Sequence, residues 1–363
     1  MFLNGLDVNY VSLMEETGLK WRDEDKREID DLFSFFRCKG ANCLRVRIWV
    51  GDSGPSRLPY AMNLAENACR VDLKVQPTIF LSDSWADLYK QPEPESWTSL
   101  DLQDKLGLIE SYIYEVVKKL MPIKDRCEYY QIGNEIDHGI CGIFAYDKKK
   151  RKDSRWLKKH IWSYEAAVLK EAVRALRIHG NETPIALHLG KWWDIPLATS
   201  FLSAMDEFNV EYEIICFSFY PTMSGANFVP LRQFKETAED RGKNVAIAEY
   251  AYPSNFVKGQ FWYMNKPSPG YPLTLEGQSL WIRDFLAQCL KLNIYGAFYW
   301  SPELYLTKNH ARRWSVPKEM PLGFGWGPMS FFDERGYAKP CVNSLKYGAQ
   351  SDLWQKMCRD QVE

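Results

Sequence analysis

Two glutamates that directly follow strand-like segments are the residues best suited to chemistry. Glu135 comes after the segment Glu128–Gly133 and Asn134, and Glu249 ends the segment Asn244–Glu249. Two carboxyl groups about 5–5.5 Å apart can cleave a glycosidic bond with retention, one as nucleophile and the other as proton donor. Their environments must differ, so that one is protonated near neutral pH while the other is ionised. We therefore predict Glu135 as general acid/base and Glu249 as nucleophile.

Eight β-rich segments alternate with amphipathic helical patterns, which favours parallel β/α units. The strand-like segments are Leu3–Val8, Ala41–Trp49, Lys74–Leu81, Glu128–Gly133, Ile185–Leu189, Glu213–Tyr220, Asn244–Glu249 and Gly296–Trp300. The helical patterns include Glu24–Arg37, Leu100–Leu120, Trp156–His179, Pro196–Phe208, Leu231–Gly242 and Gly277–Leu292. Eight strands with interleaved helices predict an α/β fold, a closed (β/α)8 TIM barrel. An open doubly wound sheet is the alternative, but no glycine-rich phosphate loop follows the first strand.

In such a barrel, the two glutamates follow the fourth and seventh strands and meet at the C-terminal face. Barrel enzymes place their active sites on this face. Two long loops, Lys90–Ser99 and Leu304–Met329, also follow strand ends there. Either glutamate alone is equally compatible with an ion pair at the rim. The pair favours catalysis, and Asn134 supplies an amide that can bond the sugar 2-hydroxyl.

Composition excludes several other classes of protein. The 363 residues fit one barrel domain, residues 1–363. A net charge of -1 provides no basic surface for nucleic acid or an anionic membrane. The nine cysteines form no CxxC pair, so zinc-type spacing is absent. The proposed mechanism requires no metal or cofactor, and we expect none, while a calcium ion that bridges the last long loop is left as an alternative. We expect a monomer, secreted if a signal peptide was removed and otherwise cytoplasmic.

Aromatic residues are unusually frequent, with 14 Trp, 20 Tyr and 19 Phe. A pyranose ring has a flat C–H face that stacks on indole, and the indole N–H can still donate a hydrogen bond. A large core would also explain many of these residues. Composition is therefore compatible with a polysaccharide or oligosaccharide partner without requiring one.

Several motifs resemble glycoside hydrolase family 53, the endo-β-1,4-galactanases of clan A. They are Gly5–Val8, Gly40–Asn42 with Arg45–Trp49, Ser82–Asp87, Gln131–Glu135, Ser218–Pro221, Ala248–Tyr252, Phe298–Pro302 and Phe331–Asp333. The run Ser-Asp-Ser-Trp-Ala-Asp at 82–87 is the most specific of them. Two positions differ from the usual family pattern. Phe80-Leu81 stand where the family has His-Tyr, and Thr222-Met223 stand where an aromatic residue follows the proline.

The resemblance implies roles for residues around the two glutamates. Arg45 or Arg47 is expected to keep the nucleophile ionised, with only one of them pointing into the barrel. Tyr220 is expected to donate a hydrogen bond to Glu249, and Trp300 to form a floor for the sugar. The remaining expected contacts with the sugar, each also compatible with a packing role, are Asp83, Trp85, Trp97 and His188, of which His188 could instead tune Glu135.

The leading hypothesis is therefore endo-hydrolysis of β-1,4-galactan by double displacement. Phe80-Leu81 motivate a first alternative, in which the same mechanism acts on another β-glycan or on an oligosaccharide. A second alternative is a barrel that binds carbohydrate without catalysis, which would not need two apposed acids. A barrel enzyme for phosphorylated metabolites is disfavoured, because Ala251-Tyr252-Pro253 and Ser301-Pro302-Glu303 offer no glycine-rich anion site.

Overall fold

Eight apolar segments form the parallel strands of a closed barrel in the computed structural model, which describes residues 1–16, 18–180, 182–223, 227–257, 264–305 and 326–349. The strands are β1 (Leu3–Asp7), β2 (Cys43–Ile48), β3 (Lys74–Ile79), β4 (Tyr130–Ile132), β5 (Ile185–Leu189), β6 (Ile214–Phe219), β7 (Asn244–Tyr250) and β8 (Gly296–Trp300). Each pairs with its neighbours along the chain, and β8 pairs with β1. The predicted (β/α)8 barrel and its eight strands are confirmed.

Helices lie between the strands on the outside of the barrel. They are α1 (Val11–Glu16), α2 (Leu32–Cys38), α3 (Leu58–Arg70), α4 (Leu102–Leu120), α5 (Ser154–Leu157), α6 (Ser163–His179), α7 (Ile195–Glu207), α8 (Phe228–Glu239) and α9 (Leu275–Lys291). Shorter elements are a π-helical turn at Lys158–Trp162, 3-10 segments at Glu95–Trp97, Met121–Arg126, Ile136–His138, Lys150–Lys152 and Pro340–Gly348, and a hairpin of Gly139–Ile140 with Ile143–Phe144.

The helix predicted over Glu24–Arg37 is wrong in its first half. Its helical part begins only at Leu32, the first residue of α2. Asp31 has an extended backbone, and its carboxylate accepts hydrogen bonds from the amides of Phe33 and Ser34. An aspartate that caps a helix in this way fixes where the helix begins.

The barrel interior changes from apolar to polar along the strands. At the N-terminal end, Leu3, Cys43, Ile214 and Phe298 belong to one buried apolar cluster. Gly5 leaves room for this packing, since a Cβ there would lie 2.1 Å from the Phe298 ring. The buried interior residues nearer the C-terminal ends are polar, namely Asp7, Arg45, Arg47, Gln131, His188, Ser218 and Glu249. The fold therefore concentrates ionisable groups at the face where the sequence predicts the site.

The long loop predicted at Leu304–Met329 lies mostly outside the described residues. The other predicted loop, Lys90–Ser99, is described and contains the 3-10 segment Glu95–Trp97. Within the described ranges, no helix is both long and apolar enough to cross a membrane. In the same ranges, no three His, Cys, Asp or Glu side chains converge to hold a metal ion.

Candidate active site

Glu135 leaves β4 through a tight turn that depends on glycine. Its own φ is +50°, a left-handed conformation that costs a residue with a side chain about 1–2 kcal/mol. Gly133 has a φ of +71°, and a Cβ there would lie 2.5 Å from Ile136 Cγ2. At the end of β5, a Cβ on Gly190 would lie 2.9 Å from Glu135 Cδ. The two glycines thus let the chain turn and leave space for the Glu135 carboxyl group.

The Glu135 carboxyl group contacts two hydrogen-bond donors. The Leu88 amide donates to Oε2 at 3.0 Å, and the Ser218 hydroxyl lies 2.5 Å from Oε1. Removal from water raises the pKa of Glu135 to about 8, and the charges of Glu249 and Asp87 act in the same direction. The two hydrogen bonds oppose this rise. Near neutral pH the group therefore holds a proton that it can donate.

The Glu249 carboxylate accepts hydrogen bonds at both oxygens. Arg45 Nη1 donates to Oε1 at 3.0 Å, and the Tyr220 hydroxyl donates to Oε2 at 2.8 Å. Burial, with the charge of Asp7, raises the pKa of Glu249 overall, and the positive charge of Arg45 and the Tyr220 hydrogen bond limit this rise. Because a cation and a hydroxyl face this carboxylate directly, its surroundings favour the ionised form more than those of Glu135 do.

Both arginines of β2 lie inside the barrel and share Asp7 of β1. Arg45 Nη1 donates to Asp7 Oδ2, and Arg47 Nε lies 3.6 Å from Asp7 Oδ1. Arg47 also donates to the Tyr10 hydroxyl at 3.0 Å and lies over the Trp85 ring at 5.2 Å. The expectation that only one arginine points inward is wrong. Side chains alternate with a period of two, so residues 45 and 47 share a face of the strand.

His188 is connected to Glu135 through Ser218. Its Nε2 lies 3.1 Å from Ser218 Oγ, and its Nδ1 lies 3.0 Å from Asn134 Oδ1. Asn134 Oδ1 also accepts a hydrogen bond from Arg45 Nη2 at 2.8 Å. Burial, with the Arg45 charge, holds the pKa of His188 well below its ordinary value, so the imidazole is neutral. Of the two roles expected for His188, this fully buried position favours tuning of Glu135 over contact with a sugar.

Three tryptophans form an aromatic wall beside the carboxyl groups. The Trp300 ring lies 5.9 Å from Trp85 and 4.3 Å from Trp326, and Trp326 lies 6.3 Å from the Tyr220 ring. Across the described ranges, the Trp300 indole N–H has no hydrogen-bond partner. A buried indole N–H normally finds an acceptor, and a sugar hydroxyl would supply one here.

Two of the expected sugar contacts take part in holding the loop after β3. Trp97 is buried and packs against Tyr112 of α4, with ring centroids 6.5 Å apart. The Asp83 carboxylate accepts a hydrogen bond from the Glu95 amide at 2.8 Å. The structure therefore does not bring Trp97 or Asp83 into contact with Glu135 or Glu249, although Trp85 from the motif at 82–87 lies in the aromatic wall.

Several site residues were not predicted individually. Ser218 precedes Tyr220 by two positions, and this spacing on one strand was an available signal that both face the interior. Asp7 also had a signal in the sequence, since it is the lone acidic residue of an apolar strand. The Leu88 amide and Gly190 had no such signal, because a backbone donor and an absent side chain act only through tertiary neighbours.

Comparison with known proteins adds to this geometry. Residues 3–345 match the model of glycosyl hydrolase family 53. The chain belongs to this family. It is 26% identical to the endo-β-1,4-galactanase of Bacillus subtilis over 83% of this chain and 70% of that one. It is also 26% identical to the arabinogalactan endo-β-1,4-galactanase of Cellvibrio japonicus, over 92% of this chain and 86% of that one.

The solved structures agree at the level of the fold. The catalytic domain of a family 53 protein from Ignisphaera aggregans has a TM-score of 0.80, covers 96% of both chains and is 24% identical. Family membership makes this protein a glycoside hydrolase that acts on carbohydrate. The prediction of an enzyme and the resemblance drawn from the motifs are both confirmed.

Proposed function

We propose that this family 53 hydrolase is a retaining endo-β-1,4-galactanase, with Glu135 as general acid/base and Glu249 as nucleophile. The observation that carries this proposal is the contact of both carboxyl groups with the C-terminal end of one strand. Ser218 of β6 contacts Glu135, and Tyr220, which directly follows β6, contacts Glu249. Two residues on one face of a strand lie about 6.4–6.8 Å apart along it. These neighbouring contacts, and the effect of the Glu249 charge on the pKa of Glu135, support two carboxyl groups that face one gap, as direct attack on a sugar requires.

The proposed reaction has two steps. In the first, the Glu249 carboxylate attacks the anomeric carbon while Glu135 gives its proton to the departing glycosidic oxygen. The C–O bond breaks and an ester joins the sugar to Glu249. In the second, Glu135 takes a proton from a water molecule, whose oxygen attacks the anomeric carbon and displaces Glu249. Two inversions leave the β configuration unchanged.

Neighbouring residues support each step of this mechanism. Arg45 and Tyr220 keep the Glu249 carboxylate ionised and oriented. Trp300 offers a floor and an indole N–H, which has no partner among the described residues, to the sugar that is attacked. Asn134 gives one amide hydrogen to the Ala86 carbonyl at 3.0 Å, and we assign its second to the sugar 2-hydroxyl.

The sugar is assigned from the relatives, and one local difference motivates an alternative. Both relatives described above are named as β-1,4-galactanases. Phe80, which stands where the family usually has a histidine, is buried between Trp49 and Trp85 at ring distances of 6.1 and 5.7 Å. An apolar support behind Trp85 favours, as the second candidate, a different β-glycan cleaved by the same mechanism.

A panel of β-1,4-galactan, arabinogalactan, mannan, xylan and cellulose tests the assignment. We expect β-1,4-galactan to be cleaved fastest, with an early loss of viscosity and a mixture of oligosaccharide products, as internal cleavage requires. Faster cleavage of mannan, xylan or cellulose would contradict the assignment of galactan as substrate, but it would not contradict the proposed mechanism. Release of single sugars from the start would contradict endo action.

A further inference from the structure

The loop after β3 places an exposed tyrosine beside Glu135. The Leu88 amide donates to the Glu135 carboxyl group, so the next residue, Tyr89, adjoins the proposed acid/base. The Tyr89 side chain is 59% exposed. The charge of Glu135 adds to the effect of burial in raising the pKa of the Tyr89 phenol, as expected for groups that lie close together. Tyr89 thus offers an open ring next to the proton donor.

Hydrogen bonds hold the backbone of this loop in place around Tyr89. Asp87 Oδ1 accepts a hydrogen bond from the Tyr89 amide at 2.8 Å, and Asp87 Oδ2 accepts one from Trp85 Nε1 at 2.9 Å. The Gln91 side chain donates to the Glu135 carbonyl at 3.2 Å. Trp85 lies in the aromatic wall with Trp300, so the loop carries one aromatic residue toward that wall and a second one out beside Glu135.

A second exposed ring follows the hairpin after β4, and Arg151 beyond it lies close enough to Tyr89 for its charge to oppose the rise in the Tyr89 pKa. Tyr146 is 78% exposed and packs edge-on against Phe144 with ring centroids 5.4 Å apart. The Arg151 guanidinium lies 4.7 Å from the Phe144 ring on the same hairpin. The Gly142 amide donates to the Gln91 carbonyl at 2.8 Å, which joins the hairpin to the loop that carries Tyr89.

The nucleophile and the acid contact sugars on opposite sides of the bond that is cleaved. The nucleophile must contact the anomeric carbon, whereas the acid must contact the oxygen that leaves with the next sugar. The sugar attacked by Glu249 would lie by Trp300. The departing sugar would lie beyond Glu135, where Tyr89 is exposed.

We propose that the tyrosine surface, defined as Tyr89, Tyr146 and Arg151, binds the sugar units on the leaving-group side of the cleaved bond. This inference rests on the proposed function. The C–H faces of pyranose rings stack on tyrosine, and the Arg151 guanidinium supplies donors to sugar hydroxyls. Sugar units can occupy this surface without a charged or planar cofactor. The surface also binds the acceptor when the glycosyl-enzyme transfers its sugar to another sugar.

Two substrates that differ only in the leaving group test this proposal. When β-1,4-galactopentaose is cleaved, the leaving group is a sugar. When a β-galactobiosyl fluoride is cleaved, the leaving group is fluoride, which cannot reach the tyrosine surface. The variants are Tyr89→Ala, Tyr146→Ala and the double variant. Tyr89→Trp retains a stacking ring. The matched control is Tyr114→Ala, which removes an exposed ring from α4 on the outside of the barrel.

We expect the double variant to lose about tenfold in kcat/KM on the oligosaccharide, as lost aromatic contacts predict, and to keep its rate on the fluoride. Transfer to added galactobiose should fall with it. Tyr89→Trp and Tyr114→Ala should resemble the wild type.

Two results would contradict the proposed role of the tyrosine surface without contradicting the proposed galactanase function. One is an unchanged oligosaccharide kcat/KM in the double variant, and the other is an equal loss on the fluoride, which would indicate general damage. A wild-type enzyme that cleaves neither substrate would contradict the proposed galactanase function itself, and the inference with it. Measuring the wild type on both substrates first therefore separates the two failures.

Discussion

The Ser218 hydroxyl lies 2.5 Å from the Glu135 carboxyl oxygen Oε1. The same hydroxyl lies 3.1 Å from Nε2 of the fully buried His188. Glu135 is therefore connected to the barrel interior through a neutral imidazole and a single hydroxyl. Since a hydrogen bond to a carboxylate favours its ionised form, Ser218 helps to set the pH at which Glu135 loses its proton.

Replacing Ser218 should move the alkaline side of the pH profile. The first step needs protonated Glu135, so kcat/KM should fall as pH rises through a pKa of about 8. The Ser218 hydrogen bond lowers this pKa, so Ser218→Ala should shift the fall upward by about one pH unit. Ser111→Ala, on the exposed face of α4, is the control. A fall that stays in place or moves to lower pH would contradict the role of Ser218.

Replacing Tyr220 should move the acidic side instead. The nucleophile must be ionised, and the Tyr220 hydrogen bond lowers the pKa of Glu249. Tyr220→Phe should therefore raise this pKa and shift the acidic limb of kcat/KM upward by about one pH unit. Tyr212→Phe is a matched control, because that buried hydroxyl has no hydrogen-bond partner within the described ranges. A shift toward lower pH would be inconsistent with a donor to the nucleophile.

Removing the nucleophile should stop turnover. Glu249→Ala leaves no group to form the glycosyl-enzyme, so hydrolysis should fall to background. Added azide should restore part of the activity and give a glycosyl azide of inverted configuration, detected by NMR. Glu236→Ala, on the exposed face of α8, should retain wild-type activity. Near-normal activity of Glu249→Ala without azide would show that another group attacks the sugar.

Removing the proton donor should penalise poor leaving groups selectively. Glu135→Gln should lower activity on glycans by about 10²–10⁴-fold, the usual contribution of general acid catalysis. Aryl glycosides with acidic phenols need no proton, so the first step should persist and the covalent intermediate should accumulate. Burst kinetics and intact mass spectrometry would detect it. Equal losses on good and poor leaving groups would exclude Glu135 as the acid.

The stereochemistry of the product tests the two glutamates together. Carboxyl groups close enough for direct attack leave no space for the water that an inverting enzyme activates. The first product should therefore keep the β configuration, which NMR shows before mutarotation. Transfer to added methanol should accompany it. An initial α anomer would mean that the pair does not act by double displacement.

The sequence by itself determined the eight strands, the position of Glu135 shortly after the fourth and that of Glu249 near the end of the seventh. Apolar runs of strand length and helical periodicity are local properties of the sequence, so they predict strands and helices without knowledge of the tertiary contacts. Parallel strands in a barrel end on one face, which is why two acids at strand ends could be predicted to meet there. Family motifs such as the segment at 82–87 added the neighbouring residues but not their contacts.

Only the tertiary structure decided which side chains meet and in what electrostatic state. Trp85 and Trp97 both follow β3, yet Trp85 joins the aromatic wall and Trp97 packs against Tyr112. Glu135 and Glu249 are the same residue type, and their surroundings differ because Arg45 donates a hydrogen bond to Glu249, whereas Glu135 accepts from Leu88 and Ser218. Burial and the distance to a charge are set by residues remote in sequence. No local pattern specifies them.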